Sequence, residues 1–574
     1  MRGASVPGEH ASAELLGALS GLLGNVNGAP LALDVPGVVD ARRVRADIST
    51  QLSDYVIPRL VQLDGPLLTV VGGSTGAGKS TLVNSLVGER ITESGVLRPT
   101  TRSPVLIHHP DDAEWFTPDR ILPELPRTTV PSNDTYALRL ATSTKIPRGL
   151  AILDAPDVDS IDKGNRELAA QLLAAADLWL FVTSAARYAD QVPWDYLRLA
   201  AERSTSVAVV LDRTSSEAVT EVRGHLARMM TSRGLSDSPL FTVPESSVDA
   251  EGLLPADLVA PIVGWLHDLA GNPDARGKVI SHTLDGSIRH IVLRSHDVAD
   301  AMDAQIEISE LLYTGVDSIY REALESFTTQ STDGTLLRGE VQVRWQEFVG
   351  TGDLLRSVEE KVGRIRDRFV DGVTGKRTRS SDIVAAIETG VFNLIVEQAE
   401  KAAATSARAW AEVPAGRTLI AGSRDLDRAS RDFRVKAERA VRDWRQAVLE
   451  LVRTDGGDKR MTAKFLAFGV NGIGVALMVV MFNDAVKDKD GTVALGHKLL
   501  SAIFGDDAVK ALVTRAHTDL DMRVAALFEG EMQRFVELVG RPDDLKARQA
   551  DLRESSRLSE GARHADFIRG EHIA

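Results

Sequence analysis

Between residues 66 and 271, short apolar runs alternate with stretches whose apolar residues recur at helical spacing. Short apolar runs bounded by turn residues are typical of buried strands, and helical connections between strands favour parallel pairing. The pattern therefore predicts an α/β domain whose mostly parallel sheet has helices on both faces. Its candidate strands are Leu67–Val71, Val105–His108, Tyr136–Leu140, Leu150–Leu153, Leu178–Val182, Val207–Leu211 and Leu240–Val243.

The regions on both sides of this domain have the periodicity of helices. The N-terminal region contains two candidate helices, Ala13–Leu23 and Val38–Leu63, and in the second the apolar residues recur four apart. After the break at Gly271-Asn272-Pro273, strand signals almost vanish and helical spacing resumes from Ile280 onward. Long amphipathic helices need one another to bury their apolar stripes, so this region is predicted to be an all-α bundle or stalk.

The chain is too long for one hydrophobic core, because its 574 residues exceed the roughly 250–300 at which single cores stop growing. The changes of pattern divide it into six predicted segments. They are N-terminal helices packing on the neck or bundle (1–65), the α/β domain (66–271), a helical bundle or stalk (272–460), an apolar hairpin (461–506), a returning helix (507–540) and a charged tail, loose helix or disordered (541–574).

Composition excludes several classes of protein. With 43% hydrophobic and 26% charged residues, the chain is neither mainly disordered, nor a polytopic membrane protein, nor a fibre. It has no cysteine, which excludes disulfides, thiolate catalysis and cysteine zinc sites. The net charge of −14 disfavours nucleic acid as a partner, because such binding depends on clustered cations.

The N-terminus does not read as an export signal. The apolar run Leu15–Gly24 is preceded by Glu9 and Glu14 where a signal peptide has basic residues. Together with the absence of cysteine, this predicts a cytoplasmic protein.

The strongest chemical signal follows the first candidate strand. Residues 73–80 read Gly-Ser-Thr-Gly-Ala-Gly-Lys-Ser, a full phosphate-loop pattern, and a candidate helix follows directly. In such a loop, backbone N–H groups and the start of the helix face the phosphates, the lysine reaches the β- and γ-phosphates, and the serine hydroxyl ligates Mg²⁺. The predicted nucleotide-binding residues here are Gly73, Ser74, Thr75, Gly76, Ala77, Gly78, Lys79, Ser80 and Thr81.

Two further segments carry a resemblance to a known family. Residues 84–88 read Asn-Ser-Leu-Val-Gly, and residues 94–105 run from Ser94-Gly95 to Thr100-Thr101-Arg102-Ser103-Pro104-Val105. This pair resembles the translation-factor-related GTPases, and the second segment resembles switch I of the dynamin superfamily, in particular bacterial dynamin-like GTPases. The resemblance implies that Thr101, or Thr100 if the register shifts by one, completes the Mg²⁺ shell and senses the γ-phosphate.

The candidate strand Leu150–Leu153 ends in Asp154, followed by Ala155, Pro156 and Asp157. A carboxylate at this strand end suits binding of Mg²⁺ through water, so the predicted metal residues are Ser80, Thr101 and Asp154. The family pattern is Asp-x-x-Gly, and Asp157 stands in place of that glycine. This departure brings a carboxylate toward an anion and puts the geometry of switch II in doubt.

Base recognition also departs from the family pattern. Where the resemblance calls for Asn/Thr-Lys-x-Asp, the chain has Asp212-Arg213-Thr214-Ser215. Asp212 and Arg213 are the predicted base-side residues. The resemblance implies GTP, while the residues themselves leave guanine and adenine open.

The predicted catalytic residues are Lys79, Thr101 and Thr75. Thr75 occupies the position that best matches the catalytic glutamine of dynamins, and a threonine cannot orient water as an amide does. Hydrolysis is therefore expected to be slow or to need a group from a partner subunit. Arg187, after the strand Leu178–Val182, is either a charge stabiliser or a solvated loop arginine.

Phe465–Phe482 is an apolar stretch of eighteen residues without a charge, interrupted by Asn471 and three glycines. At about 1.5 Å per residue it falls just short of the hydrocarbon core of a bilayer. With Val493–Phe504 it predicts a hairpin that either dips into a leaflet or lies buried in the bundle. The predicted membrane-contact residues are Phe465, Val479, Val480 and Phe482.

The resemblance implies a Mg²⁺-dependent GTPase that couples its nucleotide state to stalk movement at a membrane. It also implies self-association through the GTPase domains and contact with anionic or inner-membrane lipid at the cytoplasmic face. Two alternatives stay open: a soluble nucleotide-dependent switch that docks a protein partner, and an ATP-using phosphate-loop protein.

Overall fold

A computed structural model describes residues 13–92, 103–117, 121–123, 125–130, 136–159, 163–215, 217–349, 370–455, 463–482 and 492–568. The chain forms two compact units. The first, here called the α/β unit, comprises Met1–Leu31, Pro36–Asp303 and Lys546–Ala574. The second, here called the helical unit, comprises Ala32–Val35 and Ala304–Leu545.

The α/β unit contains an eight-stranded sheet with the strand order β3-β4-β2-β5-β1-β6-β7-β8. All neighbouring strands are parallel except β2 and β5, which pair antiparallel. The strands are β1 (Leu67–Gly73), β2 (Val105–His108), β3 (Arg127–Thr128), β4 (Leu138–Thr142), β5 (Leu150–Asp154), β6 (Leu178–Ser184), β7 (Ser206–Thr214) and β8 (Leu240–Pro244). The predicted fold class, a mostly parallel sheet flanked by helices plus a long all-α region, is confirmed.

The helices up to the end of the first long one are α1 (Ala13–Asn27), α2 (Val38–Gln51) continuing through a π-helical turn (Leu52–Val56) into α3 (Ile57–Val61), α4 (Lys79–Val87), α5 (Lys163–Ala174), α6 (Gln191–Glu202), α7 (Val219–Ser232), α8 (Ala256–Gly271) and α9 (Pro273–Thr332). The later helices are α10 (Glu340–Val349), α11 (Val370–Ala411), α12 (Pro414–Gly422), α13 (Phe433–Asp455), α14 (Ala463–Met481), α15 (Thr492–Phe504), α16 (Asp506–Val539) and α17 (Pro542–Arg563), which ends in a π-helical turn (His564–Ile568).

The N-terminal helices join the sheet through a buried charge cluster. Arg59 forms an ion pair with Asp177 at 2.8 Å, and the Tyr55 hydroxyl donates to the same carboxylate at 3.0 Å. The backbone N–H of Leu68, in the central strand β1, donates to Asp177 at 2.8 Å. Burial raises the pKa of Asp177, and Arg59 opposes that shift. These helices belong to the same unit as the sheet, and that unit also contains the first part of α9 and α17. Asp47 of α2 pairs with Arg294 of α9 at 3.7 Å, and Asn25 of α1 donates to the Asp551 carbonyl of α17 at 3.1 Å.

The described part of the C-terminal segment, residues 542–568, is a packed helix, where the sequence predicts a loose helix or a disordered tail. Helix α17 packs through polar residues: Ser556 Oγ lies 2.7 Å from Ser295 Oγ of α9, and Gln549 Nε2 donates to the Ala299 carbonyl at 2.6 Å. Arg563 is buried and pairs with Asp285. The buried face of α17 is largely polar, so the apolar periodicity that identifies a packed helix is weak here.

The helical unit is held by amphipathic helices with large aromatic residues inside. The buried residues of α13 recur every three or four positions and form one face of the helix. They are Phe433, Ala437, Val441, Trp444, Val448 and Val452. Trp444 Nε1 donates to the Ala516 carbonyl of α16 at 3.1 Å, so even its polar atom is satisfied in the core.

The apolar stretch lies inside the helical unit. Val479, Val480 and Phe482 are all buried, and the Phe482 ring lies 5.6 Å from the ring of Trp444. His517 Nε2 donates to the Met481 carbonyl at 2.6 Å, which satisfies one carbonyl at the end of α14.

The prediction that Val479, Val480 and Phe482 contact a membrane is not met in this structure, because neighbouring helices cover them. The Phe465 side chain lies outside the described residues, as does the link between α14 and α15. Helix α14 is interrupted at Gly469, whose φ of 65° is left-handed. Among the helices that the structure describes, none combines the length and apolarity needed to cross a membrane.

Candidate functional site

The phosphate loop lies in the middle of the sheet. It leaves the carboxyl end of β1, which pairs in parallel with β5 on one side and β6 on the other, and α4 begins at Lys79. The carboxyl ends of parallel strands form the crevice in which open α/β sheets bind ligands. The order of strand, loop and helix that the motif requires is therefore present.

Gly78 shows why the loop needs glycine. Its φ of 92° is left-handed, and a Cβ there would meet the Asp212 carboxylate. Glycine allows both the turn into α4 and the close approach of the segment after β7. A side chain at position 78 would be strained and would displace Asp212.

Lys79 curls back over the loop instead of extending into solvent. Its Nζ donates to the carbonyls of Gly73 and Ser74, each at 3.1 Å, and forms an ion pair with Asp157. The side chain is buried, so its ammonium group is held at the loop where a phosphate would approach.

Asp154 provides a test of the predicted Mg²⁺ site. It is fully buried at the end of β5, and neither carboxylate oxygen has a hydrogen-bond partner among the described residues. Burial raises its pKa to about 6, while the nearby Ser80 hydroxyl and Lys79 ammonium act in the opposite direction. A buried carboxylate beside a serine hydroxyl is a donor set that suits a hard cation, so these residues fit Mg²⁺.

Replacing Asp154 with asparagine is expected to remove the Mg²⁺ dependence of nucleotide binding, because the variant loses the buried negative charge. Nucleotide affinity measured with Mg²⁺ and with a chelator should differ by about tenfold or more in the wild type and by little in Asp154→Asn. The exposed Asp190→Asn serves as a control and should keep the wild-type difference. An unchanged Mg²⁺ effect in Asp154→Asn would remove Asp154 from the metal site.

The base-side residues lie against the loop. Asp212 is buried, burial raises its pKa to about 6, and its Oδ1 accepts from the Arg213 N–H at 2.8 Å. Arg213 has a left-handed φ of 53° and an exposed side chain. Asp212 thus packs on the phosphate loop at Gly78, and the guanidinium of the exposed Arg213 also lies near that glycine.

Thr75 and Arg187 meet at a residue that the sequence did not single out. Asp159 Oδ1 accepts from the Thr75 N–H at 2.6 Å and from its hydroxyl at 2.7 Å, and Asp159 Oδ2 pairs with Arg187 Nη1 at 2.7 Å. Arg187 is therefore tied to the phosphate loop through Asp159, although 38% of its side chain is exposed.

Asn84 and Thr92 also belong to this site. Asn84 Oδ1 accepts from the N–H groups of Ile91 and Thr92 at 2.9 and 2.8 Å, which fixes the chain after α4. Thr92 Oγ1 lies 3.4 Å from the Ser80 carbonyl. Like the Ser80 hydroxyl, the Thr92 hydroxyl partly opposes the effect of burial, which raises the pKa of Asp154. Asn84 belongs to the Asn-Ser-Leu-Val-Gly segment that carries the family resemblance, whereas no sequence motif includes Thr92.

The structure thus brings together Gly73–Thr81, Asp154, Asp157, Asp212 and Arg213 at the carboxyl ends of β1, β5 and β7. The predicted switch residues Thr100 and Thr101 lie outside the described residues.

Residues 69–122 match the sequence profile of the Dynamin family. A curated relative, the probable transmembrane GTPase FZO-like, chloroplastic, of Arabidopsis thaliana, is 25% identical over 159 residues. That alignment covers 28% of this chain and 16% of the relative, so the chain spans a small part of that protein's length.

Solved structures of bacterial dynamins match over nearly the whole chain, at low similarity. One comes from an oligomerised bacterial dynamin pair described as a mechanism for long-range sensing and tethering of membranes, with 10% identity, a TM-score of 0.35, and coverage of 98% of this chain and 97% of that one. Another, the LeoA bacterial dynamin GTPase from ETEC, has 11% identity and a TM-score of 0.23, with 97% of each chain covered. The family match falls on the strand, loop and helix of the site described above, and the predicted resemblance to dynamin-like GTPases is thereby confirmed.

Proposed function

We propose that this protein binds GTP with Mg²⁺ at the Gly73–Ser80 loop and hydrolyses the terminal phosphoanhydride bond. The observation that carries the proposal is the placement of Lys79 and Ser80 at the start of α4, beside the buried Asp154 whose oxygens lack hydrogen-bond partners among the described residues. Lys79 would hold the β- and γ-phosphates, while Ser80 and Asp154 would hold Mg²⁺.

In hydrolysis of this kind the protein contributes positioning and charge more than covalent chemistry. Mg²⁺ held by Ser80 and Asp154 would neutralise charge on the β- and γ-phosphates. Thr75 lies within the loop and is already engaged by Asp159, and a threonine does not orient water as an amide does. We therefore expect slow turnover unless a second copy of the chain supplies a catalytic group. Such a group would become available when the GTPase domains self-associate.

The choice of base is tested by titrating purified protein with slowly hydrolysed analogues of GTP and ATP. The family resemblance predicts tighter binding of the guanine nucleotide. Asp212-Arg213-Thr214-Ser215 lacks the carboxylate at the fourth position, so we expect the preference to be modest compared with one made by a buried carboxylate. Tighter binding of the ATP analogue would make this an ATP-using protein and overturn the GTPase proposal.

The nucleotide state is proposed to act on the helices. Helix α9 is continuous from Pro273 to Thr332 and supplies residues to both units. It is therefore the element proposed to transmit a nucleotide-dependent change from the α/β unit to the helical unit. This coupling is the proposed output of the GTPase cycle, acting at the cytoplasmic face of a membrane with anionic or inner-membrane lipid.

Burial of the apolar stretch favours a second candidate, a soluble nucleotide-dependent switch whose helices dock a protein partner. The two candidates differ in a liposome flotation experiment. Membrane action requires flotation with anionic liposomes in at least one nucleotide state, whereas the soluble switch remains unbound in all of them.

A further inference from the structure

The segment after β5 places two carboxylates on the phosphate loop. Asp157 pairs with Lys79 Nζ, and Asp159 accepts from both the N–H and the hydroxyl of Thr75. These donors, an ammonium group and a loop N–H, are the kinds of group that bind phosphate oxygens in such loops. Two acidic side chains therefore occupy donors that the proposed nucleotide would use.

The ammonium group of Lys79 and the backbone N–H of Thr75 already have acceptors for all their N–H bonds. An ammonium group has three N–H bonds, and Lys79 directs its Nζ to the Gly73 carbonyl, the Ser74 carbonyl and Asp157. The Thr75 backbone has one N–H, and it goes to Asp159. A phosphate oxygen can gain either donor only if an existing acceptor gives it up.

Of these acceptors, the carboxylates are the ones a phosphate would replace. The two carbonyls belong to the loop that carries Lys79, whereas the carboxylates come from a separate segment and carry the same charge sign as the phosphate. Asp157 and a phosphate at Lys79 would repel each other in a partly buried setting, where charges interact more strongly than in water.

Arg187 supplies a positive charge that offsets the second carboxylate, Asp159, next to the proposed phosphate site. It pairs with the Asp159 oxygen that does not face Thr75, so Lys79 and Arg187 balance Asp157 and Asp159. This arrangement positions Asp159 toward the loop.

We propose that Asp157 and Asp159 form an internal anion that competes with nucleotide phosphates for Lys79 and Thr75, so that Asp157 is a residue that sets nucleotide affinity. The inference rests on the proposed function, because the competitor is the triphosphate of that nucleotide. The apparent affinity equals the intrinsic affinity multiplied by the fraction of molecules in which the carboxylates have released the loop.

The test measures the affinity of a slowly hydrolysed GTP analogue, with Mg²⁺, for the wild type, Asp157→Asn and Asp157→Gly. Both variants are expected to bind about tenfold more tightly than the wild type, because they lack the competing charge. The exposed Asp190→Asn, which changes the net charge equally, should bind as the wild type does. Thermal unfolding of each variant checks that it is folded, and the glycine variant keeps the test available if the asparagine variant is not.

The outcomes separate the inference from the function on which it rests. Equal or weaker binding by both folded Asp157 variants overturns the inference, while binding by the wild type leaves the proposed function standing. Tighter binding by Asp190→Asn as well would also overturn it, since net charge would then explain the gain. Absence of binding by every variant overturns both.

Discussion

Replacing Lys79 with alanine is expected to reduce the rate of GTP hydrolysis by at least about 100-fold, the typical effect of losing one positioned charge donor at a reacting phosphate or oxyanion. The substitution removes the ammonium group that the loop carbonyls of Gly73 and Ser74 hold in place. It also leaves Asp157 without its cation next to the phosphate site. Both changes act against binding of a triphosphate. Phosphate release, measured for both proteins at the same concentrations of protein, nucleotide and Mg²⁺, gives the size of the effect.

Lys278→Ala is the matched control, because Lys278 is exposed on α9 and the same atoms are removed from a lysine outside the site. It should hydrolyse GTP at the wild-type rate. Hydrolysis by Lys79→Ala at a similar rate would mean that the activity does not use this loop.

Replacing Val479 with aspartate is expected to destabilise the helical unit by about 3–5 kcal/mol, since it removes a buried apolar side chain and introduces an unpaired carboxyl group. Val479 is 1% exposed within the helical unit. The change should appear as a lower midpoint in thermal unfolding followed by far-ultraviolet circular dichroism. A chain of two units need not unfold in one step, so the first transition is the one compared.

Val435→Asp controls for the chemistry of the substitution, because Val435 on α13 is 57% exposed and lies in the same unit. Its thermal midpoint should stay close to that of the wild type. An unchanged midpoint for Val479→Asp, together with loss of liposome binding, would instead make Val479 a membrane-contact residue.

Much of the α/β unit follows from the pattern of apolar residues. The seven strands proposed from that pattern are present with shifts of at most a few residues, because buried parallel strands read as continuous apolar runs. Strand β3 escapes notice because it is only Arg127–Thr128, too short to carry a period. The antiparallel pairing of β2 with β5 depends on the path of the chain between strands, which local spacing does not encode.

The helical region shows where apolar periodicity is insufficient. Helix α17 is packed through Ser556, Gln549 and Arg563, so its buried face looks like a solvated one in the sequence. In the apolar stretch around Val479, by contrast, the apolar pattern is strong but does not show what covers it. Its length suits both a membrane segment and a core helix, and only the neighbours that cover it in the folded unit distinguish them.

For the site, the phosphate loop and Asp154 were predictable because both are local motifs at strand ends. The departure at Asp157 was visible in the sequence, but its ion pair with Lys79 was not, since the two residues are 78 positions apart. The same applies to Asp159, which joins Thr75 to Arg187 across segments that only the sheet brings together.

The proposed function requires the Gly73–Ser80 loop to bind a nucleoside triphosphate. Titration calorimetry of the full chain with a slowly hydrolysed GTP analogue and Mg²⁺ tests it most directly. We expect saturable binding of one nucleotide per chain, lost in Lys79→Ala and retained in Lys278→Ala. No binding to the wild type, or equal binding to Lys79→Ala, would contradict it.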